Sequence, residues 1–181
     1  MTCVIGVIDN NKVYIGADSA SIAGYHHTVR NDNKIFKNTS VDGVEYIFGC
    51  SGSYRMAQLL QYSLIIPQNL KSTVHHFMCT DFIEEVRKLF KDSGYSTITS
   101  NNESCDKFLV GVNNLLFFID SDFQVVDCVI EATGIGNYYS LAAYKALENE
   151  PYTVEEKIYK SLEIAEFFNI GVCSPFHIIT T

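Results

Sequence analysis

The stretch Met1-Thr2-Cys3-Val4-Ile5-Gly6-Val7-Ile8-Asp9-Asn10-Asn11, continued through Val13-Tyr14-Ile15 to Gly16-Ala17-Asp18, reads as two strands joined by a tight turn. Cys3, Ile5 and Val7 alternate with Val4, Gly6 and Ile8, an apolar run short enough for a buried strand, and Asp9-Asn10-Asn11 supplies the turn. The chemistry sits at the head of the first strand. With the initiator Met removed, Thr2 offers a hydroxyl and, on the same residue, a free α-amine of ordinary pKa about 7.7–8.0. An amine titrating near working pH is an efficient proton acceptor. An N-terminal Thr served by its own amine is a recognised way to activate a weak hydroxyl nucleophile. A Met-Thr start is common, however, and carries no function by itself.

Two further residues give Thr2 its weight. Asp18 follows it by sixteen positions and Lys34 follows Asp18 by sixteen more. Lys34 stands in Asn33-Lys34-Ile35-Phe36, a strand-like bracket that turns it inward. A buried ammonium needs a partner, because an unpaired one costs several kcal/mol, and Asp18 is the natural choice. A fixed Lys⁺ beside the Thr hydroxyl lowers the hydroxyl's pKa and keeps the amine neutral. The plain alternative is a structural ion pair. These spacings, the strand-turn-strand pattern and the cluster Gly16-Ala17-Asp18-Ser19 resemble the N-terminal half of the proteasome β-subunit family of N-terminal-nucleophile hydrolases. Within that family, the sequence is most similar to the simpler bacterial peptidase of the heat-shock locus V type.

Composition bounds the reading. The chain has 181 residues, enough for one domain over 1–181 with a real core. An apolar fraction of 47%, with 12 Phe and 11 Tyr, marks a folded chain. A net charge of −8 and the lack of a basic stripe argue against nucleic acid. No apolar run is long enough to span a bilayer and no charged-then-apolar leader precedes the first strand, so the expected place of action is the cytoplasm, without membrane. The six cysteines, Cys3, Cys50, Cys79, Cys105, Cys128 and Cys173, show neither a C-x-x-C pair nor a His at ligand spacing. They read as free thiols in a reducing compartment, and neither metal nor other cofactor is expected. Tyr25-His26-His27 and His75-His76 read as solvated polar spots, since adjacent residues of a strand point to opposite faces.

The rest of the chain alternates strands and helices. Glu45 to Phe48 forms a strand that runs into Gly49-Cys50-Ser51-Gly52-Ser53, and a helix with Met56, Leu59, Leu60 and Leu64 on one face follows. A strand feeding a glycine turn and a helix N-terminus presents free N–H groups suited to an oxyanion. A longer helix carries Val74, Phe77, Met78, Phe82, Val86, Leu89 and Phe90, and Asp92 to Asp106 reads as a surface loop. Lys107–Val112 and Leu115–Asp120 make a hairpin, Phe123–Asp127 a third strand, and Glu131 to Asn137 ends that second sheet. Two helices follow. One has Tyr139, Ala142, Ala143, Ala146 and Leu147 as its buried face, and the other is opened by a Thr153/Glu156 capping box. Pro175 to Ile179 is a last strand. This order fits an α+β fold, a four-layer αββα sandwich of two mostly antiparallel sheets between helical layers.

The resemblance implies more than the residues do. It makes the Gly52 N–H the oxyanion donor and places Ser21, Phe36, Cys50 and Tyr54 around the first specificity pocket. It implies homo-oligomeric rings or double rings with interior sites, fed unfolded protein or peptide by a separate ATP-driven unfoldase. It also exposes departures. Ile135 replaces the Ser of the family's Gly-Ser-Gly turn, and Asn169 and Val172 stand nearest an Asp and a Ser that support the nucleophile. Three readings stay open: a threonine-type peptidase, a weak or inactive relative kept for its ring, and an amidohydrolase acting on a small amide.

Overall fold

The computed structural model describes residues 1–24, 26–100 and 102–181. Strands β1 (Cys3–Asp9) and β2 (Lys12–Ala17) form the expected hairpin, with Asn10 and Asn11 at positive φ (47° and 60°) in its turn. Asn tolerates that left-handed backbone better than most residues. The remaining elements are β3 (Ala20–Ala23), β4 (His26–Val29), β5 (Ile35–Thr39), β6 (Glu45–Cys50), α1 (Tyr54–Tyr62) and α2 (Val74–Phe77). A π-turn (Met78–Phe82) joins α2 to α3 (Ile83–Asp92), and then come β7 (Thr97–Thr99), β8 (Asn102–Ser104), β9 (Phe108–Val112) and β10 (Leu115–Ile119). The chain continues through β11 (Val125–Cys128), β12 (Ile130–Gly134), α4 (Asn137–Ala146), α5 (Val154–Phe168) and β13 (His177–Thr180).

Two antiparallel sheets result, ordered β12-β1-β2-β13 and β11-β10-β9-β6-β5, with β3-β4 and β7-β8 as separate hairpins. The alternation along β1 sorts its side chains between two cores. Val4 joins Val13, Ile15, Ala17, Ile35, Ile47, Leu109 and Leu116 between the sheets. Cys3, Ile5 and Val7 face the other way and pack with Ile158, Leu162 and Ala165 of α5. The outer face of the second sheet is covered by α1–α3 through an aromatic core in which Phe48, Phe77, Phe82, Phe90, Phe108 and Phe117 are fully buried. Each such ring removes enough apolar surface from water to favour folding by about 1.5–3 kcal/mol. The fold is therefore the four-layer αββα sandwich.

Four details differ from the sequence expectation. Ile130–Gly134 pairs with β1 in the first sheet, Cys3 opposite Gly134, rather than ending the second. The stretch 92–106 contains the β7-β8 hairpin, whose exposed Ser, Thr and Asn side chains hide it from an apolar pattern. The long helix is broken by the π-turn; its extra residue lets Phe77 and Phe82 both point inward with ring centroids 6.3 Å apart. Finally, α4 buries Ser140, with Leu141 and Tyr144 beside it, and leaves Tyr139, Ala142 and Ala146 outside. There the Ser140 hydroxyl donates to the Asn137 carbonyl at 3.0 Å, so this polar group is satisfied in the core. The Thr153/Glu156 capping box is present, with bonds of 3.2 and 2.8 Å.

Candidate active site

Thr2, Asp18 and Lys34 each sit at a strand end, and the antiparallel run of β1 and β2 brings the start of one beside the end of the other. Thr2 precedes β1, Asp18 follows β2, and Lys34 precedes β5, where its carbonyl accepts the Cys50 N–H at 2.9 Å. All three are buried, at 3%, 1% and 4% exposure. Lys34 Nζ donates to Asp18 Oδ1 at 2.6 Å. The same carboxylate accepts the backbone N–H groups of Cys3 (2.8 Å), Ala20 (2.9 Å) and Cys173 (3.2 Å). Four donors on one carboxylate meet the requirement that a buried charge be paired and hydrogen-bonded. Burial pulls the Lys34 ammonium below its ordinary 10.5, with the Asp18 charge opposing that shift. Burial pushes the neighbouring Cys3 thiol up to about 12.

The Thr2 hydroxyl donates to the Met1 carbonyl at 2.6 Å, and Lys34 Nζ reaches that same oxygen at 3.5 Å. While Met1 is attached, the Thr2 nitrogen is a peptide nitrogen and no base. Gly134 is held against Thr2: at φ +95° its missing side chain leaves room for the Thr2 carbonyl oxygen, which a Cβ would meet at 2.2 Å. Gly52 ends the β6 turn at φ +89° and borders the space around Thr2. A carboxylate props this turn. Asp106 accepts the Ser53 N–H at 2.9 Å and the Tyr95 hydroxyl at 2.7 Å, and occupies the volume a Gly52 side chain would need. Ser51 and Thr133 share a buried hydroxyl contact of 2.8 Å that ties the second sheet to β12 beside the site.

Thr2 separates two spaces. On one side is an open cleft of about 570 Å³ bounded by Gly52, Asp106, Thr133, Gly134 and Ile135. On the other is a cavity of only about 10 Å³ between Lys34, Cys50, Gly52, Tyr54 and Ala57. Of the four pocket residues expected by resemblance, Cys50 and Tyr54 border this cavity. Phe36 instead stacks on Phe48 at 5.2 Å in the aromatic core, and Ser21 stands on β3, outside the residues that bound the cavity. Ile135 is 47% exposed at the mouth of the open cleft. Asn169 spends its side chain on backbone, donating to the Ile135 carbonyl at 3.3 Å and accepting the Gly171 N–H at 2.8 Å. Val172 is buried against Gly136. A larger cleft of about 710 Å³ lies away from Thr2, beside Arg87, Glu103 and Phe123, and its Arg87 is paired with Glu84 and Glu103. Among the described residues no His, Cys, Asp and Glu cluster is arranged to hold a metal, and no helix is long and apolar enough to cross a membrane.

Asp106, Tyr95, Ser51 and Thr133 were not singled out by sequence. Their roles depend on contacts across 82 residues for Ser51 with Thr133 and 53 for Ser53 with Asp106, which no local pattern carries.

No family model and no curated protein matches this sequence. Solved structures do match its fold. The BPH protein of Thiobacillus denitrificans superimposes with a TM-score of 0.79 at 20% identity, over 99% of this chain and 97% of that one, and the same protein has been solved in complex with epoxomicin. The eukaryotic HslV of Trypanosoma brucei gives 0.68 at 16% identity over 98% of both chains. Anbu from Pseudomonas aeruginosa, solved as a helical assembly, gives 0.69 at 14% identity over 99% of this chain and 80% of that one. The chain thus has the proteasome β-like fold of the N-terminal-nucleophile hydrolases. At these identities the likeness is one of fold.

Proposed function

We propose that this chain is a threonine-type endopeptidase subunit in which Thr2 is the nucleophile once whatever precedes it has been removed. The observation that carries this is that the buried Lys34 ammonium, held at 2.6 Å by a fully hydrogen-bonded Asp18, borders the same small space as Thr2; with Met1 attached, the Thr2 hydroxyl and Lys34 both donate to the Met1 carbonyl, at 2.6 and 3.5 Å.

The freed Thr2 amine takes the hydroxyl proton as Oγ bonds to a peptide carbonyl carbon, and the carbonyl oxygen becomes an oxyanion. The Lys34 charge steadies the developing alkoxide, and the Gly52 N–H serves the oxyanion. Collapse breaks the C–N bond, the leaving amine takes the proton from the Thr2 ammonium, and the acyl group remains on Oγ as an ester. Water, deprotonated by the same amine, then attacks the ester and restores Thr2. Asp18 holds Lys34 and touches no substrate, so its part is positioning. A second reading, an inactive chain kept for assembly, is favoured by Ile135 and Val172, apolar side chains that offer the Thr2 amine no hydrogen bond.

We further propose self-association into a ring or double ring acting on peptides or unfolded protein, with an ATP-driven unfoldase as partner. Supporting it, the α4–α5 layer presents Tyr138, Phe167, Phe168 and Ile170 to solvent at 79, 82, 60 and 88% exposure. Apolar groups collected this way mark interaction surfaces. Hydrolysis of an unstructured protein by the Met-free chain, lost in Thr2→Ala and kept in part by Thr2→Ser, tests the peptidase reading. Assembly without hydrolysis in the Met-free chain would favour the inactive one.

A further inference from the structure

The small cavity beside Thr2 is closed by Tyr54, and Tyr54 is itself fixed. Its ring lies under the Arg30 guanidinium, 3.8 Å from the ring centroid, and Arg30 is in turn paired through two nitrogens with Asp32. Ala57, 6% exposed, borders the same cavity. What remains, about 10 Å³, is room for roughly one water. The Tyr54 hydroxyl is shut from solvent and makes no close hydrogen bond among the described residues, with the Ser21 hydroxyl beside it.

We infer that the specificity pocket admits only a small side chain at the residue whose carbonyl Thr2 attacks, and that Tyr54, clamped by Arg30, sets this limit. A methyl group fills the space, as in Ala, and the hydroxymethyl group of Ser is the next in size. Leu and Phe are excluded by the ring. The substrate class is therefore peptides cleaved after Ala or Ser. This inference rests on the peptidase reading above, and Tyr54 acts as a specificity residue within it.

The test uses the Met-free full chain and two peptide epoxyketones that differ only in their reacting residue, Ala in one and Leu in the other, with adduct formation followed by intact mass. The chain is expected to react with the Ala reagent at least about tenfold faster, since pockets of fixed size discriminate by about 10–200-fold per group excluded. Tyr54→Ala is expected to raise the Leu-to-Ala rate ratio about tenfold or more, while Tyr54→Phe, which keeps the ring, leaves Leu disfavoured. Equal or faster reaction of the unaltered chain with the Leu reagent would overturn the pocket inference and leave the peptidase reading standing. An unchanged ratio in a folded Tyr54→Ala chain would do the same. If neither reagent labels the unaltered chain, the peptidase reading fails and the inference falls with it. Should Tyr54→Ala not fold, the ratio in the unaltered chain and in Tyr54→Phe still decides.

Discussion

The two flanks of Thr2 are built in opposite ways. The Asp18–Lys34 flank is buried and saturated with hydrogen bonds, with one carboxylate taking an ammonium and three backbone N–H groups. The Ile135 flank is an open cleft whose lining mixes Ile135 and Leu141 with Asp106, Lys107, Glu131 and Asn137, and the amide of Asn169 behind Ile135 is spent on backbone. The first arrangement is what a hydroxyl nucleophile needs in order to lose its proton. The second offers a freed Thr2 amine no hydrogen bond from Ile135. On the proposed function the first flank activates Thr2 and the second tunes it, so the two should answer differently to substitution.

The largest effect is expected from Asp18→Ala, which strands the buried Lys34 charge and three N–H groups. Removing one partner of such a pair costs about 3–5 kcal/mol, a loss read as a fall in the denaturant midpoint, and epoxyketone labelling should go with it. Gly134→Ala should follow, because a Cβ there meets the Thr2 carbonyl oxygen at 2.2 Å and the residue must hold φ +95°. A cost of about 1–3 kcal/mol is expected, with labelling slowed by displacement of Thr2. The pH profile sharpens the contrast next. Burial depresses the Lys34 pKa below 10.5, so the cation beside Oγ is present below that lowered value and lost as pH rises through it. The labelling rate, followed against pH, should therefore fall on the alkaline side before an ordinary lysine titrates. Ile135→Ser should do least to stability, within about 0.5 kcal/mol at an exposed position. On the open flank a new hydroxyl should raise the labelling rate or leave it unchanged. A large loss of stability from Ile135→Ser would break the comparison.

Much of this was legible in sequence, for physical reasons that can be named. The β1-β2 hairpin carries its alternation and its Asn turn in consecutive residues, and the Thr153/Glu156 capping box is local as well. The pairing of Asp18 with Lys34 could be anticipated because burying an ammonium demands a partner, although the two stand at strand ends of different sheets. What escaped depends on distant packing. Ile130–Gly134 joined the first sheet because its partner β1 lies more than a hundred residues earlier. The outward stripe of α4 misled because Ala and Tyr look buried by composition, whereas Ser140 takes the inner place beside Cys3. Phe36 could as well have faced the pocket as the core, and only its stacking on Phe48 settles the side. The prop that Asp106 and Tyr95 place under Gly52 left no trace in any local pattern.

One measurement tests the central claim most directly: the intact mass of the chain, made without an N-terminal tag, after incubation with a peptide epoxyketone. The ketone of that reagent takes the Thr2 hydroxyl and its epoxide takes the freed amine, so both halves of the proposed nucleophile must be present. The account predicts a chain lacking Met1 and carrying one adduct, with no adduct in Thr2→Ala. A chain that has lost Met1 and stays unmodified, or an adduct that persists in Thr2→Ala, would contradict it.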